Sequence, residues 1–239
     1  MNPIVFKNLS HSYEKRRVLK DINLSFDNEK ISVILGKSGS GKSTLLQMIN
    51  GLIRPSEGVV EIFGESVNYY NIFSLRRSIG YSVQGTGLFP HLTVYENISL
   101  LVKVCAFDMG DLEKRVEMLM QMVDLDLNYK HQYPHQLSGG EQQRVGICRA
   151  MILDPPIFLL DEAFGALDVS TRKELQWELL KLQKTKPRTI ILVTHDVEEA
   201  FILADKILIL HEGQVQQYDD PGKIKNHPAN SFVKQFVQK

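Results

Sequence analysis

The residues Gly36-Lys37-Ser38-Gly39-Ser40-Gly41-Lys42-Ser43-Thr44 constrain this chain more than any other stretch, because they follow the pattern Gly, four residues, Gly, Lys, Ser/Thr. Such a loop works between a strand and a helix. Ile31-Ser32-Val33-Ile34-Leu35 before it reads as a buried strand, and Leu45-Leu46-Gln47-Met48-Ile49 after it has the composition of a helix packed on a sheet. Glycines let several backbone N–H groups converge on one anion, and the positive end of the following helix adds to the attraction. Lys42 is placed to reach the β and γ phosphates of a nucleotide, and Ser43 to hold Mg²⁺ through its hydroxyl. The fold expected around this loop is α/β.

The segments on either side supply the rest of the sheet. Residues 4–9 and 18–26 read as two strands, with Asp21, Asn23 and Ser25 on one face of the second. The turn between them carries Tyr13, an aromatic that either packs or stacks on a purine. Residues 54–58 are turn chemistry, 59–63 a further strand and Gly64 a turn, which gives the sheet an antiparallel part. Residues 78–83 read as a strand ending at Gln84, and Gly85-Thr86-Gly87 then has the backbone freedom of a flexible joint.

From 88 to 156 helix signals replace strand signals, so this segment is expected to be a helical subdomain. Thr93 and Glu96 have capping-box spacing, and Leu112, Val116, Leu119, Met120 and Val123 recur at intervals of three and four. Ser138 and Glu141 repeat the capping-box spacing at the start of a helix running to about residue 153. Gly139 and Gly140 leave backbone N–H groups open there, so this helix start has room for an anion. Since the loop at 36–44 already serves one phosphate site, a second phosphate-facing surface implies a second molecule.

Beyond Asp154-Pro155-Pro156, the run Ile157-Phe158-Leu159-Leu160 is apolar on both faces, as in a parallel sheet, and ends in Asp161-Glu162. Ligands of open α/β sheets sit beyond the carboxyl ends of strands, which turns both acids towards a nucleotide. Residues 189–194 deliver His195 at a strand end in the same way, with Asp196 and Glu199 spaced to cap the next helix; on position alone this histidine is either structural or functional. Residues 206–210 and 214–218 flank Glu212-Gly213 as a hairpin, and Asp220-Pro221 opens a short helix.

Composition narrows the partners. Lys plus Arg and Asp plus Glu both number 28, so the formal charge is zero and nothing marks a nucleic-acid surface. Cys105 and Cys148 have no paired metal-ligand spacing and suit a reducing compartment. The N-terminus lacks the pattern of a secretory signal, and no apolar run approaches the ~18–20 residues that span a bilayer. The expectation is a cytoplasmic chain that acts at a membrane only through other subunits.

With these motifs in this order, the chain resembles the ATP-binding subunit of ABC transporters over essentially its full length. The resemblance implies one ATPase domain over residues 1–239: a P-loop NTPase cassette with a RecA-like parallel-sheet core, an antiparallel β subdomain and a helical subdomain at about 88–156. It makes Tyr13 the adenine-stacking aromatic, residues 36–44 the Walker A loop, Gln84 the Q-loop residue and a Mg²⁺ contact, and Leu137-Ser138-Gly139-Gly140-Glu141 the signature. Asp161 and Glu162 close Walker B, Ala166-Leu167-Asp168 resembles the D-loop, and His195 is the switch histidine. The implied roles are Mg²⁺ binding for Asp161, alignment of the attacking water for Glu162 and a γ-phosphate contact for His195. The family binds ATP between the Walker motifs of one copy and the signature of another, which implies a head-to-tail dimer on the inner face of the membrane, working with transmembrane permease subunits and, indirectly, a substrate-binding protein. Ala163 departs from the pattern, since proline usually follows the catalytic glutamate; no chemical group is lost.

More narrowly, Met48-Ile49-Asn50-Gly51-Leu52-Ile53, Ile79-Gly80-Tyr81 with Gly87-Leu88-Phe89-Pro90-His91, and His227-Pro228-Ala229-Asn230-Ser231-Phe232-Val233 are similar to the glycine betaine, choline and carnitine importers. Many of those ATPases carry a C-terminal pair of CBS modules, and no such modules are expected within these 239 residues. An ABC ATPase acting on DNA or ribosomes is the chief rival. It would need long coiled coils or a second cassette, whereas no sustained heptads lie between Lys42 and Ser138.

Overall fold

The computed structural model describes residues 2–83, 85, 87–165 and 167–238. Its elements run, in chain order, β1 (Ile4–Tyr13), β2 (Arg16–Phe26), β3 (Ile31–Leu35), α1 (Lys42–Ile49), β4 (Glu57–Ile62), β5 (Glu65–Ser66), α2 (Phe73–Arg77), β6 (Ile79–Ser82), α3 (Val94–Val104), α4 (Leu112–Met122), α5 (Gly139–Met151), β7 (Ile157–Asp161), α6 (Val169–Thr185), β8 (Thr189–Thr194), α7 (Val197–Leu203), β9 (Lys206–His211), β10 (Gln214–Asp219), α8 (Pro221–Asn226) and α9 (Ser231–Val237). These residues form two compact units, one comprising the chain up to Arg76 with the segment from Arg188 onward, the other Arg77–Pro187.

In the first unit β3 lies between β8 and β9 and is parallel to both, while β10 returns antiparallel to β9. Every residue of β3 and β8 is buried, the burial that an apolar strand without alternation requires when both its faces are covered. Leu45, Leu46, Met48 and Ile49 of α1 are fully buried beside them. The β9–β10 turn places Glu212 at φ 46° and Gly213 at φ 77°, the left-handed pair of a tight hairpin. A second, antiparallel sheet has the order β2-β1-β4-β5.

The first two strands are longer than alternation predicts. β1 continues past Leu9 to Tyr13, so Tyr13 stands at a strand end and not in a turn. Register shifts at Leu9 and His11 interrupt the β1–β2 ladder, with Asn8 and Asp21 both at φ 50°. The bulges turn Ser10 and His11 inward, where Ser10 Oγ accepts from Arg17 Nη2 at 2.8 Å and from the Asp21 N–H at 3.0 Å.

In the second unit β6 and β7 pair in parallel. Between them the regular elements are helical. Val94 and Ile98 of α3, Val116 and Met120 of α4, and Val145 and Cys148 of α5 are all fully buried, so the three apolar stripes form the helical core. Both expected capping boxes are present, the Thr93 N–H donating to Glu96 at 2.8 Å and the Ser138 N–H to Glu141 at 2.7 Å. α5 stops at Met151, two residues short of the expected end.

Candidate active site

The loop at 36–44 turns into α1 through Gly41, which caps that helix at φ 101°. Lys42, the first helical residue, is only 6% exposed and folds back, donating to the carbonyls of Gly36 at 2.9 Å and Lys37 at 3.2 Å. The Ser40 N–H also donates to the Lys37 carbonyl, at 3.2 Å. Lys37, Ser38 and Gly39 form an exposed crest, whereas Ser40 is buried, and its hydroxyl has no hydrogen-bond partner among the described residues. A buried ammonium and an unsatisfied hydroxyl, both beside the Gly36 backbone at the start of a helix, fit a phosphate chain. Ser43 and Thr44, half-buried on the first turn of α1, complete the loop.

Two further expected residues belong to the same unit. Tyr13 is 47% exposed, and its ring forms a T-shaped pair with His11, centroids 4.7 Å apart, which braces it while leaving surface to stack on. His195 is exposed immediately after β8, where the Asp196 N–H donates to Thr194 Oγ1 at 3.1 Å and Asp196 caps α7 by accepting from the Glu199 N–H at 3.2 Å.

The second unit holds the acids. Asp161 ends β7 and is 2% exposed; Tyr81 of β6 donates its hydroxyl to Asp161 Oδ2 at 3.5 Å. Glu162 follows at φ 49°, a conformation non-glycine residues rarely adopt and one that recurs at functional sites. Its carbonyl accepts from Gln143 Nε2 at 3.1 Å and from the Gly165 N–H at 3.1 Å, so the turn closes without proline, and Ala163 is buried within it. The sequence alone gives neither Tyr81 nor Gln143 a role in the site. The signal for Gln143 is its place on the buried stripe of α5, one turn before Ile147, where an amide needs a polar partner.

Ser138 and Gly139 are exposed at the start of α5, with Gly140 and Glu141 half-buried behind them. Burial opposes ionisation of Glu141, but hydrogen bonds from the Ser138 N–H and hydroxyl and from Tyr129 outweigh it and hold the carboxyl below its usual range. Asp168 caps α6, accepting from the N–H groups of Ser170 and Thr171 at 3.1 Å, and its pKa is depressed first by the Ser170 hydroxyl. Gln84 and Ala166 lie outside the described residues. Asn97 is another polar residue that periodicity passes over. Fully buried, it donates to the carbonyls of Phe89, Leu92 and Thr93 and accepts from the Phe89 N–H, tying the 89–93 loop to α3.

A sequence model described as ABC transporter matches residues 19–165, more than half of the chain. The chain belongs to the ABC transporter family. The ATP-binding protein of a glycine betaine uptake system from Escherichia coli is 42% identical over 98% of this chain and 76% of its own length. The ATP-binding protein for glycine betaine, carnitine and choline transport of Bacillus subtilis is 44% identical over 94% of this chain, which spans only 59% of that relative. Among solved structures, a dimeric ATP-binding cassette in a post-hydrolysis state with ADP and Pi superposes with a TM-score of 0.85 at 33% identity, covering 91% of this chain and 98% of that one. The domain is thus an α/β cassette of the ATP-binding type. Among the described residues, no helix of this cassette is long and apolar enough to cross a membrane.

Proposed function

We propose that this cassette is the ATP-hydrolysing subunit of an importer for quaternary-amine osmoprotectants such as glycine betaine, choline and carnitine. The observation that carries the cargo is the 42% and 44% identity, across nearly the whole chain, to ATP-binding proteins of such systems. The observation that carries the chemistry is the loop in which the Lys42 ammonium and the orphaned Ser40 hydroxyl both lie against Gly36.

In this reading residues 36–44 hold the phosphates, Lys42 neutralises β and γ charge, and Tyr13 stacks on adenine. Ser43, Gln84 and Asp161 are the residues that would hold Mg²⁺, whose charge would offset that of the phosphates. Glu162 orients and polarises the attacking water, and His195 contacts the γ phosphate. Ser138, Gly139, Gly140 and Glu141 of a second copy close over the nucleotide, with Asp168 beside them. ATP then joins two cassettes head to tail, and its hydrolysis removes the bridge. The helical segment 88–156 moves with that opening and drives permease subunits at the inner face of the membrane, which receive cargo from a substrate-binding protein.

The test is uptake of labelled glycine betaine, choline and carnitine in cells with and without this subunit, at normal and raised osmolarity. Loss of uptake of at least one supports the cargo. No change for any of the three, with loss of an unrelated solute, removes the osmoprotectant reading and leaves the family assignment intact.

A further inference from the structure

The C-terminal helix α9 reaches the phosphate loop through two contacts that none of the assigned roles uses. The first runs through the β9–β10 hairpin. A Cβ placed on Gly36 would lie 2.3 Å from the Leu210 carbonyl oxygen, and the Gly213 N–H donates to the Ser40 carbonyl at 3.2 Å, so the loop backbone rests directly on this hairpin. His211, next to Leu210, stacks its imidazole on Phe232 of α9, with ring centroids 3.8 Å apart and planes 18° from parallel. The second contact is direct, since the Lys37 ammonium stands 6.0 Å from the centroid of the same Phe232 ring.

Helix α9 is not a frayed end. Gln217 Oε1 accepts from the Ala229 N–H at 2.8 Å, Asn230 donates to Gln216 at 3.0 Å while capping Val233, and Val233 is fully buried. Phe232 is therefore presented from a fixed base. A cation facing a ring is held by the ring quadrupole, and the Lys37 carbonyl is one of the acceptors that position Lys42. Holding the Lys37 side chain restricts how that carbonyl turns.

We infer that Phe232 is a positioning residue for nucleotide binding: through Lys37 and His211 it keeps the phosphate loop in its anion-receiving shape, so the C-terminal helix sets part of the affinity for ATP. This rests on the nucleotide reading of the loop.

The experiment uses the full chain, measuring the Kd of a fluorescent ATP analogue and the KM and kcat of ATP hydrolysis, with thermal melting of every variant. Phe232→Leu keeps apolar bulk but removes the ring; its Kd and KM rise roughly two- to five-fold while kcat changes less. Phe232→Tyr restores both. Lys37→Met raises KM similarly, and the double variant is no worse than either single one, as coupled residues require. Should Phe232→Leu melt early, Lys37→Met decides alone, because its side chain is exposed. An unchanged KM in Lys37→Met, or effects of the two variants that add in full, overturns the inference. A parent chain that binds no nucleotide overturns the loop reading along with it, whereas a parent that hydrolyses ATP beside unmoved variants removes the role of α9 alone.

Discussion

Lys42 donates its ammonium to the Gly36 carbonyl at 2.9 Å, bending back across the loop that it closes. Carbonyl dipoles hold this charge in place, and a phosphate gives it an anion to meet. Hydrogen bonds to charged groups contribute about 1.5–3 kcal/mol each. Lys42→Met is expected to weaken ATP binding by roughly ten- to a hundredfold. Titration with a fluorescent ATP analogue checks this, and a melting temperature close to that of the parent chain shows that the loss lies in the site.

The start of α5 is a helix cap and, in the proposed dimer, faces the nucleotide of the other copy; two substitutions separate the two. Ser138→Ala removes the acceptor of the Glu141 N–H and should destabilise the domain by about 0.5–2 kcal/mol, read from the denaturant midpoint. Ser138→Arg adds bulk and charge at an exposed position, and is expected to abolish ATP-dependent pairing of cassettes while leaving ATP binding to the phosphate loop.

Acid sensitivity follows from the caps. Glu96 and Glu141 are held below their ordinary value of 4.5, and Asp168 and Asp220 below 3.8. The first cause is the Thr93 N–H for Glu96, the Ser170 hydroxyl for Asp168 and the Lys223 N–H for Asp220; for Glu141 the Ser138 hydrogen bonds overcome the burial penalty. Because each folded pKa is depressed, the stabilisation is complete above the unfolded values and is lost as pH falls through the lower folded ones. Melting temperature should hardly respond to these groups between about pH 7 and pH 5 and should drop below about pH 4.5. Glu96→Gln should lower stability at neutral pH and make the acid decline shallower.

The elements that were legible are those whose local chemistry and burial agree. β3, β7 and β8 are apolar without alternation because both faces are covered, the caps at Thr93 and Ser138 follow from capping-box spacing, and the cap at Asp220 from the proline after it. The far half of β1 was hidden because Ser10 and His11 are buried polar residues behind a bulge, which imitates a strand end. α6 buries only Leu175, Gln176 and Leu179 along its 17 residues and exposes Trp177, too narrow a stripe for periodicity to predict a helix there. α9 escaped for a different reason, since its aromatic residues take their meaning from His211 and Lys37, distant in sequence. Within the candidate site, the loop and the strand-end acids carry motifs. Gln143 and Tyr81 do not, because they act by holding the backbone or side chain of another residue.

The account stands most directly on Glu162, held at φ 49° where β7 ends. The decisive measurement compares the parent chain with Glu162→Gln in Mg-ATP, following phosphate release together with molar mass by light scattering. The amide keeps the shape but polarises water poorly. Release should fall by about 10²- to 10⁴-fold while ATP remains bound and the mass doubles to that of a dimer. Near-normal phosphate release from Glu162→Gln would contradict the account.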